Sequence, residues 1–244
     1  MAMNPKLLRP RASGFSPKNI AGLALWLDGS DSKSITLNGS TVAQWNDLSG
    51  NGRHATQATA ASQPTFTANA RNGRSALTFS ASQVMSVASF PVASYAAGIA
   101  VVQFGGNNQA AFQRGGLNDV HSLFAESGSI KLRNIGASND ATSAFTVGTF
   151  YVVGFSLYSQ FATNGTQTSD LRINGTAAPQ SSYTFSSSPS SDKGLTIGGL
   201  TSTVYRLNGV LCELVYYQGT SALSSSSIKA LEAYAGKKWG ITVL

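Results

Sequence analysis

From Ile20 onward the chain runs in short stretches in which apolar and polar positions alternate with a period of two. Leu23, Leu25 and Leu27 fall on one side of such a stretch, and residues 42–45, 65–67, 76–79 and 84–87 repeat the pattern. This is the signature of half-buried strands. Residues 98–104 and 150–157 are more continuously apolar, as strands covered on both faces must be. Residues 121–125 and 129–133 flank Glu126-Ser127-Gly128, and 170–173 ends at Asn174-Gly175, a type I′ hairpin signal. Strands at 195–197 and 209–217 complete a set of roughly a dozen with no βαβ alternation, which predicts an antiparallel sandwich.

Helical spacing occurs at the end of the chain. Ile228, Leu231, Tyr234 and Ala235 share one face of a helix predicted over 225–237, Ser224 is its N-cap, and Leu223 and Ile228 stand in the positions of a hydrophobic staple. Gly236 marks an early end. Residues 181–193, SSYTFSSSPSSDK, read as loop. Residues 1–19 carry Pro5, Pro10 and Pro17 among basic and small residues and predict an extended arm, so that 20–244 forms one sandwich domain.

Composition narrows the class. Charged residues are 11% of the chain, and Ser, Thr, Asn and Gly must cover its surface, the composition of adhesive or particle-exposed β proteins. The net charge is +7, and Lys6, Arg9, Arg11 and Lys18 all precede the first acid, Asp28. A basic arm is drawn to an acidic partner surface by an attraction that salt weakens. Cys212 is the lone cysteine, which excludes an intrachain disulfide, and no stretch approaches the roughly 20 apolar residues of a membrane span or the core of a signal peptide. Synthesis in a host cytoplasm is expected.

Several blocks carry a resemblance: GLALWLDGSD (22–31), VAQWNDLSGNGRHATQ (42–57), Pro64 with NGRSALTF (72–79), LTIGG (195–199) and the segment 208–241 beginning NGVLCELVYY. In this order they resemble concanavalin A-like lectin/glucanase domains of the laminin-G-like type, of the kind found in bacteriophage virion proteins. The resemblance implies a jelly-roll sandwich of two curved sheets, a terminal helix packed against it, and Trp239 sealing that end.

Chemistry is sparse. Glycoside hydrolysis needs two converging carboxyl groups, and Glu126, Glu213 and Glu232 do not reproduce the Glu-x-Asp-x-x-Glu strand of the glucanase branch. Glu213 reads as a structural hydrogen-bonding residue. His54 and His121 read as turn or surface histidines and Cys212 as a small buried hydrophobe. No catalytic residue, metal site or cofactor is assigned. Asp28, Asp31, Asn46, Asp47 and Asn51 are hard-ligand candidates for calcium, but the same residues explain turns, and Asp47 and Asn51 are expected to bond the local backbone. Tyr158, Phe161, Tyr183 and Tyr205, beside Asn- and Ser-rich loops, are the candidate glycan-stacking rings.

The expectation is a non-enzymatic virion structural protein, at the head or the tail, present in many copies, with Lys6, Arg9, Arg11 and Lys18 docking it to other virion proteins. A glycan-binding adhesin recognising host surface glycan is the alternative reading, and a glycan-cleaving enzyme a third.

Overall fold

A computed structural model describes residues 14–115, 121–134, 140–158, 165–185, 192–200 and 205–244. They form an all-β antiparallel sandwich with a single helix, Ser225–Trp239, near the carboxy terminus. The strand Asn208–Gly219 organises the sheet that faces the helix. On one side it pairs with Tyr95–Phe104, which pairs in turn with Phe150–Tyr158 and then Gly165–Ile173. Its other edge is shared: residues 208–211 pair with Arg74–Ser80, and 213–217 with Leu23–Asp28. The opposite sheet runs in the order Ile35–Asn38, Thr41–Trp45, Ala55–Thr56, Met85–Phe90, Lys193–Ile197, Gln109–Arg114, His121–Glu126, Ser129–Asn134 and Ala141–Ala144.

The main core lies between the sheets, with Leu25, Trp45, Phe79, Phe112, Phe155, Leu214 and Tyr216 all buried in it. A second core lies between the first sheet and the helix, built on Ile99, Val101, Val152, Val215, Leu231 and Trp239. Tyr95–Phe104 and Phe150–Tyr158 are buried on both faces, as their continuous apolar runs require. Gly98 occupies an inward position where a Cβ would fall 1.9 Å from the Val215 carbonyl oxygen and 2.8 Å from the Phe155 ring, so a bare backbone is needed there.

Two of the ladder irregularities decide which side chains face the helix. Along Asn208–Gly219, Leu211 opposes Val102 and Glu213 opposes Val101, so Cys212 is the extra residue of a β-bulge. Cys212 packs into the helix-side core, and Glu213, displaced by the bulge, joins it on that side. A second irregularity, between Leu23 and Leu25, places Leu23 with the helix-side core while Leu25 and Leu27 face the other sheet. The expected common face of these three leucines is therefore corrected by one step of register.

Glu213 is fully buried and satisfied by four donors. Its Oε1 accepts from Trp26 Nε1 at 2.8 Å and from the Tyr234 hydroxyl at 2.9 Å; its Oε2 accepts from Trp239 Nε1 at 2.7 Å and lies 3.0 Å from Lys238 Nζ. Lys238 also contacts Asp28 Oδ2 at 2.6 Å. Burial pushes the Glu213 carboxyl above the usual carboxylate range, against the pull of Lys238 and the indole N–H groups. The structural role read from sequence is what the geometry shows.

The turn-rich stretch after Trp45 is equally self-bonded. Asp47 Oδ1 accepts from the amides of Trp26 and Ser49, its Oδ2 from the amide of Arg53, and Asn51 Nδ2 donates to the carbonyls of Leu23 and Ala24. His54 Nδ1 accepts from the Asp47 amide. These contacts tie the loop to Leu23–Asp28.

Four expectations change. The helix reaches Trp239 and is capped by Gly240 at φ 63°, and Gly236 lies inside it because a Cβ there would strike Val243 and the Ile241 carbonyl. Within the predicted loop 181–193, Ser181–Phe185 is a strand, held by ladder bonds to residues 165–169. Pro17–Asn19, at the end of the arm, forms one 3₁₀ turn capped by Ser16; Pro17 is buried and its carbonyl accepts from the Tyr217 hydroxyl at 2.7 Å. His121, read as a surface or turn residue, is 3% exposed, because its strand starts inside the sandwich and its Nδ1 meets the Tyr216 hydroxyl at 3.1 Å. Beside it, buried Arg114 donates to the carbonyls of Phe90 and Pro91, to Gln218 and to Tyr216, and stacks 3.9 Å above the Phe90 ring.

Glu213→Ala leaves the Trp26 and Trp239 indole N–H groups without their acceptor and Lys238 with Asp28 as its remaining carboxylate, and is expected to lower stability by about 3–5 kcal/mol. Glu213→Gln, which keeps one acceptor oxygen, loses less; urea unfolding of both variants checks the order. Burial, reinforced by Arg114, holds the His121 pKa well below its ordinary value of 6.5. Its folded-state pKa being depressed, its stabilising contribution is full above about pH 6.5 and declines as pH falls toward the depressed value, with a slope of about 1.4 kcal/mol per pH unit. Unfolding curves from pH 7 to pH 5 should show a shallower decline in His121→Gln than in the parent.

Candidate functional site

A cleft of 420 Å³ opens where the amino-terminal end of the helix meets the edge of the helix-side sheet. The sheet supplies Ser156 and Tyr158 from Phe150–Tyr158 and Asp170 and Arg172 from the adjoining strand. Asp170 and Arg172 are two apart and so share a face, and Ser156 stands directly opposite Asp170 in the ladder. The Asn174-Gly175 turn, with φ of 50° and 85°, closes the hairpin that pairs Arg172 with Ala177, and Asn174 also bonds the Val152 backbone on the neighbouring strand. The helix supplies Ile228 and Lys229, and Leu223 packs with Ile228 as the staple predicts.

Tyr158 and Tyr95 form the aromatic wall, edge to face with centroids 5.2 Å apart. Tyr95 is buried and Tyr158 half-buried, so Tyr158 is the ring that faces the opening. Burial pushes the Tyr95 phenol above its ordinary pKa of 10.0, against the pull of its hydrogen bonds with Ser156 and the Leu223 backbone, so it remains neutral. Asp170 accepts from Ser156 Oγ at 3.1 Å and from Gln180 Nε2. Arg172 donates Nε to buried Glu232 at 2.8 Å and Nη2 to the Gly175 carbonyl. Gly154 makes room for Glu232, whose Oε1 would lie 2.5 Å from a Cβ there. Lys229 is exposed and forms no ion pair among the described residues. The cleft thus presents a ring, an anchored carboxylate, an amide and two cations, all held by packed elements.

Gln180 also borders a second, more polar concavity of 480 Å³, with Lys131, Asp140, Thr142, Ser181 and Ser182. On the outer face of the same sheet as Lys131, Tyr205 stands edge-on to Phe124 at 5.8 Å and its hydroxyl bonds Glu126, which Lys131 contacts at 2.8 Å. The Glu126 carboxyl is held below its usual range by the hydrogen bonds from Lys131 and Tyr205.

The candidate rings therefore separate. Tyr158 and Tyr205 belong to different clusters. Phe161 lies outside the described residues, and Tyr183 is described only as a backbone position in Ser181–Phe185. Of the arm, Lys18 is exposed beside buried Pro17, and Lys6, Arg9 and Arg11 lie outside the described residues. Among the described residues no group of His, Cys, Asp and Glu is arranged to hold a metal ion. Of the calcium candidates, Asp28 binds Lys238 and Ser30, Asp31 caps a 3₁₀ turn, Asn46 accepts from Gln44, and Asp47 and Asn51 bond backbone. Sequence reasoning missed Tyr95, Asp170, Arg172, Gln180 and Lys229; the signal available was the Asp-x-Arg pair immediately before an Asn-Gly turn.

No family model and no curated protein sequence matches the chain. Solved structures do. Domain 4 of AbnA, a GH43 extracellular arabinanase from Geobacillus stearothermophilus solved in complex with arabinotriose, matches at 15% identity and a TM-score of 0.59, over 86% of this chain and 98% of that one. The binding domain of Paraclostridial Mosquitocidal Protein 1 matches at 13% identity and a TM-score of 0.62, over 93% of this chain and 56% of that one. The ligand-binding domain of botulinum neurotoxin serotype D, in complex with N-acetylneuraminic acid, matches at 12% identity and a TM-score of 0.55, over 87% of this chain and 51% of that one. At these identities the likeness is one of fold: the chain shares the β-sandwich architecture of these domains.

Proposed function

We propose that the chain is a non-enzymatic glycan-binding module whose ligand occupies the cleft beside Tyr158. The observation that carries this reading is the pairing of a half-exposed ring with hydrogen-bonding groups already held in place. A sugar offers a C–H face that stacks on an aromatic ring and hydroxyls that need both donors and acceptors. Tyr158 supplies the first, and Asp170, Gln180 and Lys229 supply the second. Arg172 and Asp170 are braced from behind by Glu232 and Ser156, so little ordering opposes binding. Structural neighbours solved with arabinotriose and with N-acetylneuraminic acid support the class of ligand. The non-enzymatic part is supported by carboxyl placement: among the described residues each polar cleft is lined by a single carboxylate, Asp170 in one and Asp140 in the other, where hydrolysis needs two.

The setting we propose is a phage particle, at the head or the tail. It rests on the resemblance of the sequence blocks to virion domains and on the basic arm, with its Lys6, Arg9, Arg11 and Lys18, as tether.

Glycan-array binding followed by titration calorimetry tests the cleft. Lys229→Ala, an exposed change, should weaken a hit by about tenfold, and Tyr158→Ala by tenfold or more, with unfolding midpoints of Lys229→Ala unchanged. Absence of any saturable glycan, or parent-level affinity in both variants, refutes the assignment; turnover of a bound glycan refutes the non-enzymatic reading.

A further inference from the structure

Seven of the basic residues fall either in the arm sequence or beside the carboxy-terminal end of the helix. Lys6, Arg9, Arg11 and Lys18 lie in the arm, and Arg71, Arg74 and Lys237 lie at the carboxy-terminal end of the helix or beside it. With these seven set aside, 10 of the 17 Lys and Arg remain against 10 Asp and Glu, so the rest of the chain is neutral. Arg71 donates to the carbonyls of Trp239 and Gly240, and Arg74 to that of Lys238. Those partners are neutral carbonyls, which position the guanidinium groups without cancelling their charge. Lys237 is exposed and unpaired among the described residues; its neighbour Lys238 is neutralised by Asp28 and Glu213.

Between the arm and these cations lies a groove of 660 Å³ with a mainly apolar floor of Phe15, Ala230, Ala233 and Tyr234. Phe15 stands 5.7 Å from the Tyr234 ring, so the first described residues of the arm form one wall. Ala230 and Ala233 are three apart on the helix, on the side turned from the sheet, and Phe15 is an exposed large hydrophobe.

We propose that this groove docks an acidic segment of a partner protein, with an apolar side chain seated between Phe15 and Ala233 and carboxylates on Arg74 and Lys237. Charge complementarity selects the occupant. Residues 1–13 of this chain would bring Lys6, Arg9 and Arg11 into a basic groove, and a second copy would offer a neutral body or the same basic end. An apolar floor gives nucleic-acid base edges no donors to read. The inference deepens the tether reading and is independent of the cleft beside Tyr158, at the other end of the helix.

The test uses the full chain and a labelled peptide carrying Glu and Asp around a central Leu, titrated by fluorescence anisotropy at low and near-physiological ionic strength (~0.15 M). Saturable binding that salt weakens, and that falls about tenfold in Lys237→Glu and in Ala233→Glu with thermal unfolding unchanged, is expected. Three results overturn the proposal: no saturable peptide binding, binding by both variants as tight as by the parent, or equal or tighter binding of duplex DNA or phosphatidylglycerol vesicles. Tighter peptide binding after removal of residues 1–13 overturns it also, by showing that the arm fills the groove. Glycan affinity measured on the same two variants should be unchanged, which separates failure here from failure of the cleft.

Discussion

Everything on the helix side of the sandwich depends on one buried carboxylate. The bulge at Cys212 turns Glu213 away from the inter-sheet core and toward the helix, where Trp26, Tyr234, Trp239 and Lys238 converge on it. Those groups come from the first strand and the last helix, and Glu213 from the long carboxy-terminal strand, so one side chain joins segments from both ends of the chain. An isolated buried carboxylate would be untenable. With four donors it is satisfied, and the same contacts tie the helix to the first strand.

The helix placed by that network then serves two surfaces. Its amino-terminal turn, stapled by Leu223 and Ile228, walls the cleft beside Tyr158, and its outer face farther along floors the basic groove. Its buried stripe, including Leu231, Ala235 and Trp239, does the packing, which leaves Lys229, Ala233 and Lys237 free to meet ligands or partners. Rigidity at both surfaces has the same origin, because moving the helix would break the Glu213 contacts.

The architecture is shared with domains from an arabinanase and from two toxins at identities of 15% or less. Such conservation of shape without sequence follows from what a sandwich demands: alternating apolar positions, turns and two covered faces, which many sequences meet. Side chains at the rim, where that demand is weakest, are free to differ between such domains.

The legibility of this chain divides along the same line. Period-two runs, the continuous apolar strands at 98–104 and 150–157, the Asn174-Gly175 turn and the stapled helix were readable because each is set by neighbours a few residues apart. Asp47 and Asn51 were readable as turn-bonding residues for the same reason. The bulges that move Leu23 and Glu213 to the helix side, the burial of His121 and the strand at Ser181–Phe185 depend on ladders formed with distant segments. So do both concave surfaces: Tyr95, Asp170 and Lys229 meet only because two strands and a helix are packed together, and Phe15 meets Ala233 across more than two hundred residues of chain. Local chemistry determined the elements and the class of fold; side chains far apart in sequence acquire a common site only when the sheet and the helix close on each other.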